Sequence, residues 1–267
     1  MIRLCERVLA MATNTLKQKL AEGKWVSGPI VEEIRTVGGV KMLALAGHDF
    51  LWWDMEHNFY DWDNLLNLVQ LTHLYGMTPL VRVTDLSYAA VARALDTGAQ
   101  GIVIPRVDNA EQAEQAVSYA KYPPRGRRGA GGMARNFYES KSPLQSVQDG
   151  NAESMVILQI EHPDAIGELD AICSVDGVDV ICVGPQDLSV NMDIHGQFDS
   201  PVFLETIGKI NQICAKYGKP VGMVSRDAAS FKIWGDLGCR FIVCNSDLSL
   251  LFQQASRDRQ KLEEVLG

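Results

Sequence analysis

The chain has 267 residues, of which 46% are hydrophobic and 22% charged, and this composition is typical of a soluble globular protein. Its formal net charge of −8 and pI near 5.2 argue against nonspecific binding to nucleic acid or anionic membranes, because both require a basic surface. No apolar run reaches the roughly 20 residues of a membrane-spanning helix, and the N-terminal apolar stretch is too short for a signal peptide. Six cysteines without a C-x-x-C pair predict reduced thiols and a cytoplasmic location.

Short apolar runs alternate with amphipathic segments along the chain. The predicted strands are residues 25–30, 50–56, 78–84, 101–107, 155–161, 180–184, 220–225 and 240–245. Apolar residues three or four apart predict helices between them, at 63–74, 88–95, 110–121 and 203–217 among others. This alternation predicts parallel pairing, and a single-domain (β/α)8 TIM barrel is favoured. An open doubly wound sheet is the alternative, but the segment after Ile30 lacks its Gly-rich phosphate loop.

Two segments fall outside this alternation. Residues 1–22 form a lead-in, and a helix over 14–22 is expected to close the bottom of the barrel made by residues 23–267. Residues 122–151 form a long loop between the fourth and fifth strands, and we expect it at the catalytic rim, where long loops carry function. Its Gly- and Arg-rich part, 125–132, is either an anion cradle or a solvated surface loop.

Polar side chains stand where the predicted strands end. In a (β/α)8 barrel the chemistry lies at the C-terminal ends of the strands, so these residues predict the site. They are Asp54, Glu56, His57, Arg82, Arg106, Gln159, Glu161, His162, Asp187, Ser225 and Asp247.

Glu161 and Asp187 are carboxylates at the ends of two neighbouring apolar runs. Such a pair, completed by waters and substrate oxygens, is a suitable site for a hard divalent cation. Salt bridges to Arg82 or Arg106 are an equally weighted alternative.

His57 and Arg82 are the candidates for proton transfer and anion binding. A carboxylate such as Asp54 could fix the tautomer of His57 and raise its basicity, although a lone histidine more often caps or solvates a loop. Arg82 lies in an otherwise apolar strand, so it needs a partner, which is either a substrate oxyanion or an ion pair with Glu56 or Glu161.

Taken in order, seven segments resemble the HpcH/HpaI-type class II pyruvate aldolases, the group of hydroxy-oxo-heptenedioate aldolase. Each segment alone is weak, but the ordered set is specific. They are residues 50–57 (FLWWDMEH), 80–83 (LVRV), 104–105 (IP), 122–129 (YPPRGRRG), 159–161 (QIE), 184–189 (GPQDLS) and 218–222 (GKPVG).

The resemblance implies a carbon–carbon lyase that cleaves a 4-hydroxy-2-oxo acid to pyruvate and an aldehyde, or condenses them in reverse. Its cofactor would be Mg²⁺, Mn²⁺ or Co²⁺, held by Glu161 and Asp187. Arg82 would hydrogen-bond the developing enolate oxygen. Gln159 would steady a metal-bound water or the substrate carbonyl.

By the same resemblance, His57 would take the proton of the C4 hydroxyl, oriented by Asp54 and acting through a water. Backbone amides at Gly184, Pro185 and Gln186 would receive the pyruvate carboxylate. The family also implies a role in aromatic compound catabolism and a homo-oligomer, either a hexamer or a trimer of dimers, with exchanged C-terminal helices.

The chain departs from the family pattern at several positions. His162 stands where a small residue is common and could add a contact at the metal or substrate, and Gln186 also replaces a small residue. Two other functions therefore stay open: an acyl-CoA ester lyase of the citrate-lyase-like group, and a non-catalytic barrel that binds a keto acid.

Overall fold

A computed structural model describes residues 13–225 and 227–267. The first part of the predicted lead-in, with Cys5, lies outside the described residues. The strands are β1 (Val26–Val31), β2 (Phe50–Asp54), β3 (Thr78–Arg82), β4 (Gly101–Ile104), β5 (Met155–Ile160), β6 (Val180–Val183), β7 (Val221–Ser225) and β8 (Phe241–Ser246).

Twelve α-helices lie in the described ranges. They are α1 (Thr15–Ala21), α2 (Val37–Leu45), α3 (Trp62–Leu74), α4 (Tyr88–Asp96), α5 (Ala110–Ala120), α6 (Pro143–Glu153), α7 (Pro163–Gly167), α8 (Leu169–Ser174), α9 (Pro185–Asn191), α10 (Pro201–Lys216), α11 (Ala228–Asp236) and α12 (Asp247–Leu266).

The strands close into one parallel barrel in chain order, with β8 paired to β1, so the predicted (β/α)8 fold is confirmed. All eight predicted strands are present within one or two residues at each end, apart from the C-terminal end of β4. They are rich in Val and Ile because the barrel interior covers one face and helices cover the other. The register sets Asp54 beside Arg82 across the β2–β3 pair, and this positions the site described below.

The core has two layers. One fills the barrel and includes Phe50 stacked on Phe241, with ring centroids 4.6 Å apart. The other lies between the barrel and the helices. Leu16 of α1 is fully buried in the inner layer, and Lys19 of the same helix forms an ion pair with Asp49, just before β2. Helix α1 therefore closes the N-terminal end of the barrel, as predicted.

The segment 122–151 does not lie at the catalytic rim, so that expectation was wrong. Helix α5 ends at Ala120, and by then the chain has returned to the N-terminal end of the barrel. Arg128 of this segment is buried and pairs with Asp96 at the end of α4, 2.9 Å apart, and Phe137 stacks on His73 with ring centroids 3.7 Å apart. The Arg- and Gly-rich stretch thus ties helices together at the end of the barrel opposite the chemistry.

The C-terminal helix α12 runs from Asp247 to Leu266, and Ser246 caps its N-terminus. Its exposed apolar side chains include Leu251, Phe252 and Val265. Exchange of this helix between subunits stays a prediction. No helix within the described ranges combines the length and apolar character needed to cross a membrane.

Candidate active site

Asp54 and Arg82 form a buried ion pair at the ends of β2 and β3. The Nε of Arg82 donates to Oδ1 of Asp54 over 2.7 Å and its Nη2 donates to Oδ2 over 2.8 Å, while Asp54 is only 1% exposed. Asn58 and the backbone N–H of Glu56 donate to the same carboxylate. Four donors thus reach the Asp54 carboxylate, and its orientation of His57 stays a prediction.

Glu56 takes the position next to the imidazole. Its Oε2 lies 3.6 Å from Nε2 of His57 and 3.3 Å from Nη1 of Arg82, and its Oε1 accepts from Nη2 of Arg106 over 2.5 Å. The Glu56 carboxylate is 6% exposed, whereas the His57 side chain is 63% exposed. His57 is thus an accessible imidazole beside the buried carboxylate of Glu56.

Glu161 lies just beyond β5 and is buried. Its Oε1 accepts from the side-chain amide of Gln159, and its Oε2 accepts from the backbone N–H of Arg106 over 3.1 Å. Arg106 adopts a left-handed backbone with φ of 54°, which is strained for a residue with a Cβ. In this conformation the backbone N–H of Arg106 points to the Glu161 carboxylate while its guanidinium reaches Glu56.

The pKa of Glu161 is raised to about 7, first by burial and then by the negative charges of Asp187 and Glu56. Within the described residues, no lysine or arginine side chain forms an ion pair with Glu161. The alternative of a salt bridge between Glu161 and Arg82 or Arg106 is therefore not observed among the described residues. A buried carboxylate beside other carboxylates favours a cation.

Gly184 and α9 bring Asp187 to this carboxylate. A side chain at Gly184 would overlap Glu161 and the amide of Gln159, so glycine is required for the close approach of the two strand ends. Asp187 lies in the first turn of α9 and is exposed toward the barrel mouth. The Gly184 N–H donates to Ile160 over 3.1 Å, and Pro185 has no N–H. Of the three predicted amide donors, only Gln186 is therefore available.

Several of these groups line one cavity of about 500 Å³ at the mouth of the barrel, whereas Asp54, Glu56 and Glu161 are not among its described lining residues. It brings together most of the predicted site residues, which are His57, Arg82, Gln159, Gly184, Pro185, Gln186 and Asp187. A second wall contains Phe198, Val224, Asp227 and Trp234, none of which the sequence analysis had selected. Phe198 lies in a loop and Trp234 in helix α11. Neither is a polar residue at the end of a strand, which is the signal that predicted the other site residues.

Two predicted rim residues have structural roles. His162 caps α7 by accepting from the backbone N–H of Asp164 over 3.2 Å, which does not support a contact at the metal site. Asp247 accepts from the backbone N–H groups of residues 32, 33 and 34 over 2.7 to 2.9 Å. Asp247 thereby fixes the loop that follows β1.

The site fits a divalent cation. The carboxylates of Glu161 and Asp187 are hard oxygen groups, and Oε1 of buried Gln159 has no hydrogen-bond partner in the part of the chain that the structure describes. Among the described residues, no three His, Cys, Asp or Glu side chains converge as a complete metal cage. Two carboxylates are therefore the ionic ligands available, and water or substrate oxygens would complete the coordination.

Comparison with known proteins decides the family. The chain matches the model of the HpcH/HpaI aldolase/citrate lyase family over residues 37–251. The chain belongs to this family. Both activities in the family's description break a carbon–carbon bond, so the chain is a carbon–carbon lyase, as the motifs predicted.

Members of the HpcH/HpaI family resemble this chain along most of its length. 4-Hydroxy-4-methyl-2-oxoglutarate aldolase tasA of Hapsidospora irregularis is 32% identical and covers 89% of this chain and 90% of its own. Hydroxypyruvate/pyruvate aldolase of Cupriavidus necator is 32% identical, with 92% and 91% covered. The crystal structure of an HpcH/HpaI aldolase from Desulfitobacterium hafniense DCB-2 superposes with a TM-score of 0.89 at 33% identity, covering 94% of this chain and 97% of that chain.

Proposed function

We propose that this protein is a divalent-metal-dependent aldolase that cleaves a 4-hydroxy-2-oxo acid to pyruvate and an aldehyde, and condenses them in reverse. The observation that carries the proposal is the buried carboxylate of Glu161, whose pKa is raised to about 7 by burial and by Asp187 and Glu56. Aldolase names among relatives at 32% identity favour an aldolase over an acyl-CoA ester lyase.

Glu161 and Asp187 would hold the ion, with Gln159 beside them. A bound divalent ion supplies Lewis acidity at the 2-oxo carbonyl of the substrate. The Gln186 N–H, in the first turn of α9, is available to the substrate carboxylate. The ion pair of Arg82 with Asp54 fixes the guanidinium at the cavity, where it can donate to the oxygen that gains charge.

His57 would act as the base. Removal of the C4 hydroxyl proton lets the C4–O bond become a carbonyl while the C3–C4 bond breaks, and the bonding electrons pass into the pyruvate enolate. A proton added at C3 then completes pyruvate. Glu56, 3.6 Å from Nε2 of His57, stabilises the imidazolium that forms.

The test is pyruvate release from a panel of 4-hydroxy-2-oxo acids, with Mg²⁺, Mn²⁺ or Co²⁺ and with EDTA. We expect metal-dependent release that EDTA abolishes and that added metal restores. Release that continues unchanged in EDTA would contradict the metal requirement. No release from any substrate, by folded protein that binds Mn²⁺, would favour the CoA-ester lyase or the keto-acid-binding barrel.

A further inference from the structure

The cavity at the barrel mouth has two unlike walls. One carries the polar groups Gln159, Gln186 and Asp187 that the proposed function assigns to pyruvate and the cation. The other wall belongs to β7, the helix after it and the loop after α9, and it carries Phe198, Val224 and Trp234 beside Ser225, Asp227 and Ser230. The aldehyde half of a substrate that extends from the polar wall along this side of the cavity would meet these apolar side chains.

The apolar wall is held in place by its packing. Phe203 lies against both aromatic rings, with centroid distances of 5.7 Å to Phe198 and 6.2 Å to Trp234. Trp234 is 3% exposed and Phe203 is fully buried, whereas Phe198 and Val224 are half-buried. These last two thus leave apolar surface that a ligand can cover, and covering it is favourable.

Charge at this wall opposes a second anion on the substrate. Among the lining residues within the described ranges, Arg82 is the one permanent cation, and Asp54 already pairs with it. Asp227 adds a carboxylate whose pKa lies below its usual value, because the backbone N–H of Ser230 donates to it over 2.9 Å. A substrate carboxylate here would lose water and gain a repulsive neighbour.

We propose that the aldehyde partner of this enzyme carries a neutral, apolar substituent, aliphatic or aromatic, which packs on Phe198, Val224 and Trp234. This inference rests on the proposed aldolase function. It separates the chain from the tasA relative, whose named substrate is an oxoglutarate and so bears a carboxylate at each end.

Aldol addition provides the test. The pyruvate methyl loses a proton, its carbon bonds to the aldehyde carbon, and the aldehyde oxygen takes up a proton, so no oxidant or reductant is needed. Two matched pairs differ only in the anionic group: butanal with succinic semialdehyde, and benzaldehyde with 4-formylbenzoate. With Mn²⁺ and saturating pyruvate, we expect kcat/KM to be at least about tenfold higher for the neutral member of each pair.

Two variants probe the charge of the wall. Asp227→Asn keeps the oxygen that caps α11 but removes the negative charge, so we expect the preference for the neutral aldehyde to shrink. Val224→Arg adds a cation to the wall and should shift the preference toward the carboxylated member. Asp227→Asn tests the same idea if Val224→Arg fails to fold.

Exchange of pyruvate methyl protons in D₂O, followed by NMR without any aldehyde, separates the two proposals. If the protein catalyses no exchange of these protons, the proposed aldolase function itself is wrong. Exchange combined with equal or higher kcat/KM for the carboxylated aldehydes would overturn the neutral-substituent proposal and leave the aldolase function standing.

Discussion

Two buried charged side chains at opposite ends of the barrel differ in how their surroundings compensate the charge. Lys121, at the N-terminal end, is 1% exposed, and Glu161, at the mouth, is 5% exposed. The Lys121 ammonium donates to the carbonyl of Asn151 over 3.0 Å, and to the carbonyl and hydroxyl of Ser154 over 2.6 and 3.0 Å. Glu161 instead has the carboxylates of Asp187 and Glu56 and the guanidinium of Arg82 as charged neighbours.

The difference lies in the partners and not in the size of the pKa shift. Burial lowers the pKa of Lys121 to about 8 and raises that of Glu161 to about 7, so both move toward neutrality. Lys121 has all three of its donors satisfied, as expected for a group that stabilises the fold. Glu161 has two carboxylates and the Arg82 guanidinium around it, and burial together with the like charges outweighs the cation in setting its pKa, so a bound cation would be favourable.

The largest effect should come from removing the mouth carboxylates. Glu161→Gln and Asp187→Asn keep the shape of each side chain and remove its charge, so we expect metal-dependent turnover to fall at least about 10³-fold. Steady-state pyruvate release checks this, with circular dichroism as the control for folding. Wild-type rates in either variant would remove the residue from the metal site.

His57→Ala should slow cleavage by about 10²- to 10⁴-fold, the usual contribution of a general base. It should leave Mn²⁺ affinity unchanged, because His57 adjoins Glu56 and not Glu161. Calorimetric titration with Mn²⁺ beside the kinetic assay separates the two effects. If the variant releases the metal, His57 is a ligand and its role as the base is wrong.

The raised pKa of Glu161 predicts how the stability of the metal-free protein depends on pH. The folded protein keeps this proton up to about pH 7, whereas the unfolded chain releases it near the ordinary value of 4.5. Glu161 therefore makes its full contribution to the stability of the folded protein below pH 4.5. This contribution, about 3 kcal/mol of the free energy of unfolding, is lost as pH rises through 7. Urea unfolding at pH 5 and pH 8 measures this loss. The free energy of unfolding should change less between these two pH values in Glu161→Gln than in the wild-type protein. An equal change with pH in both proteins would contradict the raised pKa of Glu161.

Lys121→Met should give the smallest effect and leave the mouth untouched. Loss of the ammonium leaves Asn151 and Ser154 acceptors buried without a donor, so we expect the free energy of unfolding to fall by about 1–3 kcal/mol. Mn²⁺ affinity and turnover should not change in the folded variant. A loss of Mn²⁺ binding would mean that the two ends of the barrel are coupled.

The strands and most of the site could be predicted from the sequence, because buried parallel strands are continuous apolar runs and the polar residues after them share one rim. The misplacement of 122–151 came from counting it as a strand-to-helix loop, although α5 had already returned the chain to the other end. The partner of Asp54 could not be predicted, because it depends on the β2–β3 register, which places Arg82 directly opposite. Phe198 and Trp234 lie in a loop and a helix at the barrel mouth. Their position at the cavity could not be predicted, because the spacing of apolar residues in such elements indicates packing and not function.

The central claim is that Glu161 and Asp187 form a divalent cation site, in which burial and the neighbouring carboxylates raise the Glu161 pKa. Calorimetric titration of wild-type protein and Glu161→Gln with Mn²⁺, at pH 8 and pH 6, tests it most directly. We expect wild-type binding that is weaker at pH 6, because protons compete for Glu161, and no measurable binding in the variant at either pH. Equal Mn²⁺ affinity in the two proteins would contradict the account.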